Sequence, residues 1–149
     1  MGFPKRICDK LKEYFKEGKT EYSFSKKKWD FKSDFKVEIN PKDFLIVEIE
    51  SSQPHPDTNV TKYWYILEKN PDIKITLIQI FGRGFLEKSK NDYRSRLELC
   101  GFMAKKMKRE FKERFIYFSK KSNDMDEIME YIKIKAPKAT ANKILTESP

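Results

Sequence analysis

The feature that most constrains the fold is a pair of strand-like segments that meet across the polar turn Asn40-Pro41-Lys42. Before the turn, apolar and charged residues alternate. After it comes a continuous apolar run, residues 44–47, which ends in Glu48-Ile49-Glu50. Such a run is typical of a strand that is buried on both faces, so we expect it in the centre of a sheet. The sequence therefore predicts a hairpin over roughly residues 33–50.

Two pairs of carboxylates stand out in this hairpin, Asp34 and Glu38 on the first strand and Glu48 and Glu50 on the second. Each pair shares a face, because successive side chains of a strand point to opposite sides. If the strands pair in register, three or four carboxylates converge at the end of a buried sheet. They would repel one another unless a cation lies between them, and oxygen ligands suit Mg²⁺ or Mn²⁺ better than zinc. Alternatively, Glu48 and Glu50 are exposed edge-strand residues paired with lysines.

The rest of the chain predicts alternating helices and strands. Amphipathic spacing predicts helices over about residues 3–15, 58–69 and 89–113 and a last helix that Asn123 or Asp124 can cap. Strands are predicted near residues 22–24, 73–80 and 114–119. This order indicates an α/β fold, with a central mixed sheet flanked by helices. A length of 149 residues fits one domain, which we place at residues 1–135, followed by a polar tail at 136–149.

Positive charge is concentrated in the second half of the chain. Residues 83–121 contain thirteen Lys and Arg against five Asp and Glu, which accounts for +8 of the formal net charge of +9. This distribution is typical of a face that neutralises phosphates. The candidate nucleic-acid contacts are Arg83, Lys105, Lys106, Lys108 and Arg109. The alternative is a solvated helix exterior with Glu–Lys pairs.

Two further observations concern the compartment. Cys8 and Cys100 are far apart in the sequence and form no CxxC motif, so we expect two reduced thiols. No apolar run approaches the ~20 residues of a membrane span, and the first ten residues contain no signal-peptide core. We therefore expect a soluble cytoplasmic protein without membrane contact.

The hairpin resembles the PD-(D/E)XK nuclease superfamily, the fold of many restriction endonucleases and Holliday-junction resolvases. Ser33-Asp34 stands where the family has Pro-Asp, and Glu48-Ile49-Glu50 follows fourteen residues later in place of (D/E)XK. The later helix, strand, basic helix and strand agree with the family's core order, so the resemblance covers roughly residues 3–119. Glu50 departs from it, because the family usually has a lysine there. A minority of restriction endonucleases carry Glu or Gln at this position, and in other members the lysine comes from the following helix, where Lys62 is the candidate.

The resemblance implies a restriction-endonuclease-like domain that hydrolyses DNA with Mg²⁺ or Mn²⁺. Asp34 and Glu48 would bind the metal together with the Ile49 carbonyl, and Glu50 would be a further ligand or orient the attacking water. Lys62 would offset charge on the phosphate, and Gln53 would hydrogen-bond the phosphate or the water. The implied catalytic residues are Asp34, Glu48, Glu50, Lys62 and Gln53.

The implied partners are DNA, with RNA less favoured, and a second copy of the chain in a homodimer. The alternative function is a non-catalytic nucleic-acid-binding or assembly module that retains a degenerate nuclease fold.

Overall fold

The computed structural model describes residues 3–15, 19–25, 29–51, 55–82, 85 and 91–137, with the side chains of 19–25, 29–31 and 91–93 left out. The helices and strands, in chain order, are α1 (Phe3–Tyr14), β1 (Lys19–Ser25), β2 (Trp29–Asn40), β3 (Asp43–Glu50), α2 (Thr58–Lys69), β4 (Lys74–Phe81), α3 (Asn91–Phe111), β5 (Phe115–Lys121) and α4 (Met125–Lys135). None of the described helices is long and apolar enough to cross a membrane.

The strands form one mixed sheet in the order β1-β2-β3-β4-β5. The first three strands are antiparallel neighbours, whereas β3, β4 and β5 run parallel. Parallel neighbours need a crossover, and α2 and α3 provide the two crossovers. The predicted α/β domain with a mixed central sheet flanked by helices is therefore confirmed.

Helices cover both faces of the sheet. One apolar cluster joins α2 and α3 to Phe44 and Ile46 of β3, and the other joins α1 and α4 to Leu45 and Val47. This burial on both sides explains the continuous apolar run of β3. Because side chains alternate, Glu48 and Glu50 lie on the same face as Phe44 and Ile46, beneath α2 and α3. The alternative interpretation, in which the two glutamates are exposed on an edge strand, is wrong.

The boundaries of some elements differ from those predicted. Strand β2 begins at Trp29, four residues before the predicted start of the hairpin, because its first residues pair with β1. Helix α3 ends at Phe111, and a short 3₁₀ turn, Lys112–Arg114, leads into β5. In this turn Lys112 has a φ of 55°, which an α-helix does not accommodate. Most of the predicted polar tail, residues 138–149, lies outside the described residues.

Arg114 belongs to the fold rather than to a basic surface. Its guanidinium donates to the carbonyl oxygens of Leu67 at 2.8 Å, Asn70 at 2.7 Å and Ile73 at 3.0 Å. Leu67 is in the last turn of α2, where helical carbonyls lack partners within the helix, Asn70 directly follows the helix, and Ile73 directly precedes β4. Arg114 therefore links the end of α2 to the start of β5, so one of the charges counted in the basic region has a structural role.

Candidate functional site

The antiparallel register of β2 and β3 brings Asp34 beside Glu48. Phe35 pairs with Val47, so the next position along places these two carboxylates opposite each other. The amide of Asp34 donates to Glu48 Oε1 at 3.1 Å, and the amide of Ile49 donates to Asp34 Oδ2 at 2.7 Å. The backbone of the hairpin thus holds both carboxylates in place.

Glu48 is almost completely buried, with 1% of its surface exposed. Its Oε2 accepts a hydrogen bond from the Tyr63 hydroxyl at 2.6 Å and lies 2.5 Å from the Lys62 ammonium. The Tyr63 hydroxyl also lies 2.8 Å from Ser33 Oγ. Tyr63 belongs to the buried stripe of α2. Its hydroxyl has a further role, because it reaches the carboxylate.

Glu50, which stands at the position of the family's lysine, is fully buried between two amide side chains. Asn59 Nδ2 donates to its two oxygens at 2.8 and 2.9 Å, and Gln79 Nε2 donates to Oε2 at 2.6 Å. Gln79 Oε1 in turn accepts from the Tyr117 hydroxyl at 2.6 Å. The parallel register of β3 and β4 sets Gln79 opposite Glu48, on the same face.

Neither amide was singled out from the sequence, although a signal existed for each. Gln79 is a polar residue inside the otherwise apolar end of β4, and Asn59 lies one helical turn before Lys62. Polar groups that are buried in this way need partners, so a lone glutamine in an apolar strand indicates a buried polar neighbour.

The α2 lysine, Lys62, reaches the carboxylates as the resemblance implied. Its side chain is only 11% exposed, and its ammonium lies 2.5 Å from Glu48 Oε2, 2.5 Å from the carbonyl oxygen of Lys32 and 3.0 Å from Asn59 Oδ1. Asn59 therefore contacts both Glu50 and Lys62. Together, Asp34, Glu48, Glu50 and Lys62 form one connected cluster at the end of β3.

Burial changes the protonation of this cluster. It raises the pKa of Glu48 to about 8, because the loss of solvent outweighs the attraction of Lys62. It raises the pKa of Glu50 to about 7, even though hydrogen bonds from Asn59 and Gln79 favour the ionised form. The pKa of Tyr63 is raised well above its ordinary value by burial and by the nearby Glu48. Each of the two glutamates thus gains or loses its proton near neutral pH. A cation that binds them would compete with those protons.

Glu38 does not join the cluster. It is exposed and pairs with Phe44, at the end of the hairpin that lies away from Glu48. Three carboxylates converge rather than four. The sharing of a face was correctly predicted, but four residues along a strand span roughly 13 Å, which is too far for direct contact.

The predicted basic contacts lie elsewhere on the domain. Lys105, Lys106, Lys108 and Arg109 are exposed on the second half of α3. Cys100 lies on the part of α3 that is near the site. The pKa of its thiol is raised mainly by burial and, second, by the charge of Glu50, which shows that Glu50 is close. From Cys100 to Lys105 and to Arg109 the helix rises by about 8 and 14 Å. Closer to the site, Arg96 lies 3.7 Å from Asp57, just before α2. Gln53 and Arg83 lie outside the described residues.

Two carboxylates of the cluster, Asp34 and Glu48, are the candidate ligands of a divalent cation. Within the described ranges, no group of three or more His, Cys, Asp and Glu side chains has the geometry to hold a metal ion. Mg²⁺, however, commonly takes only one or two carboxylates and completes its shell with water and substrate phosphate. Asp34 is half-buried, and no described residue donates to its Oδ1, which leaves this oxygen available beside Glu48.

Comparison with known proteins links this site to no family. No protein-family model matches the chain, and no curated protein or solved structure matches it either.

Proposed function

We propose that the chain is a metal-dependent endonuclease that hydrolyses phosphodiester bonds in DNA. The observation that carries this proposal is the meeting of Asp34, Glu48 and Lys62 at the end of a central strand. Two carboxylates and a lysine are the residue types that the nuclease resemblance requires. The lysine comes from α2, and Glu50 stands at the position where the family usually has a lysine.

Each of these residues has a chemical task in the proposed reaction. Asp34 and Glu48 would hold Mg²⁺ or Mn²⁺, which when bound lowers the pKa of water and stabilises charge on a phosphate. Lys62 supplies a positive charge that can stabilise the phosphate as negative charge develops on it. The resemblance gives Glu50 the task of orienting the attacking water, and Asn59 and Gln79 would hold its carboxylate in place. Burial of the cluster strengthens each of these electrostatic effects.

The wider structure supports DNA as the substrate. The order of elements from the hairpin to β5 is the order that the resemblance predicts, which favours a restriction-endonuclease-like domain. The exposed basic cluster, Lys105, Lys106, Lys108 and Arg109, lies about 8 to 14 Å along α3 from Cys100, whose thiol is close enough to Glu50 to respond to its charge. The longer distance corresponds to about four base pairs of B-DNA. Cutting both strands would take two such sites, so we propose a homodimer acting in the cytoplasm.

A second function, a non-catalytic nucleic-acid-binding or assembly module, is favoured by a different observation. Lys62 already lies against Glu48, and both oxygens of Glu50 have amide donors. The cluster is thus stable in its own right as a buried polar network. In this case, the basic α3 surface would bind nucleic acid and the cluster would only support the fold.

A plasmid assay separates the two functions. Supercoiled plasmid is incubated with the wild-type protein, Glu48→Gln and Glu38→Gln, with Mg²⁺, with Mn²⁺ and with chelator. Glu38→Gln is a matched control, because it removes a carboxylate from the same hairpin at an exposed position away from the site. Mobility shifts of the same DNA in chelator, at several salt concentrations, measure binding separately from cutting.

A nuclease should nick or linearise the plasmid only with metal. The cleavage rate of Glu48→Gln should be at least 100-fold lower than that of the wild type, whereas Glu38→Gln should cleave at the wild-type rate. Binding in chelator should be equal for all three proteins. Salt-sensitive binding without cleavage in any metal would instead establish the non-catalytic module. If Glu48→Gln cleaves as fast as the wild type, the proposed centre is wrong.

A further inference from the structure

The surroundings of the Lys62 ammonium have the chemistry of a cation site. Its three contacts are a carboxylate oxygen of Glu48, the amide oxygen of Asn59 and the backbone carbonyl oxygen of Lys32, all within 3.0 Å. An ammonium has three hydrogen-bond donors, so these oxygens occupy all of them. Carboxylate, amide and carbonyl oxygens are also the ligands that hard divalent cations prefer.

The orientation of Asn59 is set by its two charged neighbours. Its Nδ2 donates to Glu50, so its Oδ1 faces the ammonium of Lys62. The opposite orientation would place the amide hydrogens against the ammonium and the amide oxygen against the carboxylate. Asn59 therefore holds Lys62 against Glu48 while it holds Glu50 in place.

We propose that Lys62 is an internal cation that competes with a divalent metal ion for Glu48 and that Asn59 holds it in that position. The inference rests on the proposed metal centre at Asp34 and Glu48 and adds a role for these two α2 residues. Because two cations at one carboxylate repel each other, a metal ion that binds Glu48 weakens its bond to Lys62. The released ammonium can then turn toward a phosphate, so that metal binding makes this charge available to the substrate.

Calorimetric titration with Mn²⁺ alone, at about pH 8 and without nucleic acid, tests the competition. The proteins are the wild type, Lys62→Met, Lys62→Gln and Lys69→Met. Lys69 is the matched control, since it is an exposed lysine on the same helix, two turns further on. Removal of the competing charge should tighten Mn²⁺ binding by at least tenfold in both Lys62 variants, which corresponds to about 1.4 kcal/mol. Lys69→Met should bind as the wild type does.

A second measurement uses the wild-type protein and so does not depend on how the variants fold. An amine-acylating reagent is added with and without Mn²⁺, and modification at Lys62 and Lys69 is measured by mass spectrometry. Without metal, Lys62 should react slowly, because its ammonium is buried and fully hydrogen-bonded. Mn²⁺ should raise its reactivity several-fold and leave that of Lys69 unchanged.

The possible failures are distinguishable. If the wild type and both Lys62 variants bind Mn²⁺ with equal affinity, the competition is refuted while the metal centre stands. If the acylation of Lys62 does not respond to bound Mn²⁺, release of the ammonium is refuted in the same way. If none of the proteins binds Mn²⁺, the proposed centre fails and the inference with it. Binding by the Lys62 variants but not by the wild type would support the competition in its strongest form.

Discussion

Replacing Glu48 by Gln should change how the stability of the protein depends on pH. Burial raises the pKa of Glu48 from its ordinary value of 4.5 to about 8. In the unfolded chain this carboxyl loses its proton near pH 4.5, whereas in the folded protein it keeps the proton until about pH 8. Between these values the folded state binds more protons than the unfolded state, so the free energy of unfolding falls as pH rises. Glu48→Gln removes this dependence, because glutamine does not ionise.

The size of the effect follows from the same two pKa values. Within this window, each unit rise in pH lowers the free energy of unfolding by about 1.4 kcal/mol for one proton, and by less near the ends of the window. Between about pH 5.5 and about pH 8.5, Glu48 should therefore lower the stability of the wild type by about 3 kcal/mol relative to the variant. The comparison uses the difference between two pH values, so any constant cost of the substitution cancels.

Urea unfolding, followed by tryptophan fluorescence at several pH values, measures this difference. Glu38→Gln serves as the control, because Glu38 is exposed, and its curve should run parallel to that of the wild type. If the Glu48→Gln curve is also parallel to the wild-type curve, the reasoning is refuted. That result would mean that the ion pair with Lys62 outweighs burial and keeps Glu48 ionised.

Two further substitutions test contacts that hold the site and the fold. Tyr63→Phe deletes a buried hydroxyl that contacts both Glu48 and Ser33, so it should destabilise the protein by about 1–3 kcal/mol in urea unfolding at neutral pH. Thr61→Ala, which removes an exposed hydroxyl from the same helix, should cost clearly less, and an equal loss would contradict the argument. Arg114→Met removes the donor to three carbonyls around the end of α2 and should lower stability by about 2–4 kcal/mol. Lys112→Met, in the same turn, is the control and should change the free energy of unfolding by no more than about 0.5 kcal/mol. If the Arg114 variant is as stable as this control, the three carbonyls find other partners.

Much of the fold followed from local patterns in the sequence. The alternation in β2, the apolar run of β3 and the turn between them predicted the central hairpin. The spacing of apolar residues predicted the four helices, and Asp124 caps the last one through a hydrogen bond from the Glu127 amide. These predictions succeeded because burial against a core imposes a period of two on a half-buried strand and about 3.6 on a helix.

The register that brings Asp34 beside Glu48 is given by the structure. The sequence by itself determined that Glu48 and Glu50 share a face of one strand and that Asp34 and Glu38 share a face of its partner, because side chains alternate along a strand. It pointed to Lys62 only through a resemblance. The tertiary structure alone decided that Lys62 and Asn59 reach these carboxylates from α2 and that Gln79 reaches them from β4. It also set the spacing between the basic cluster of α3 and Cys100, the α3 residue that senses Glu50. Contacts between elements that are distant in the chain depend on how helices pack on the sheet, and no local periodicity records that packing.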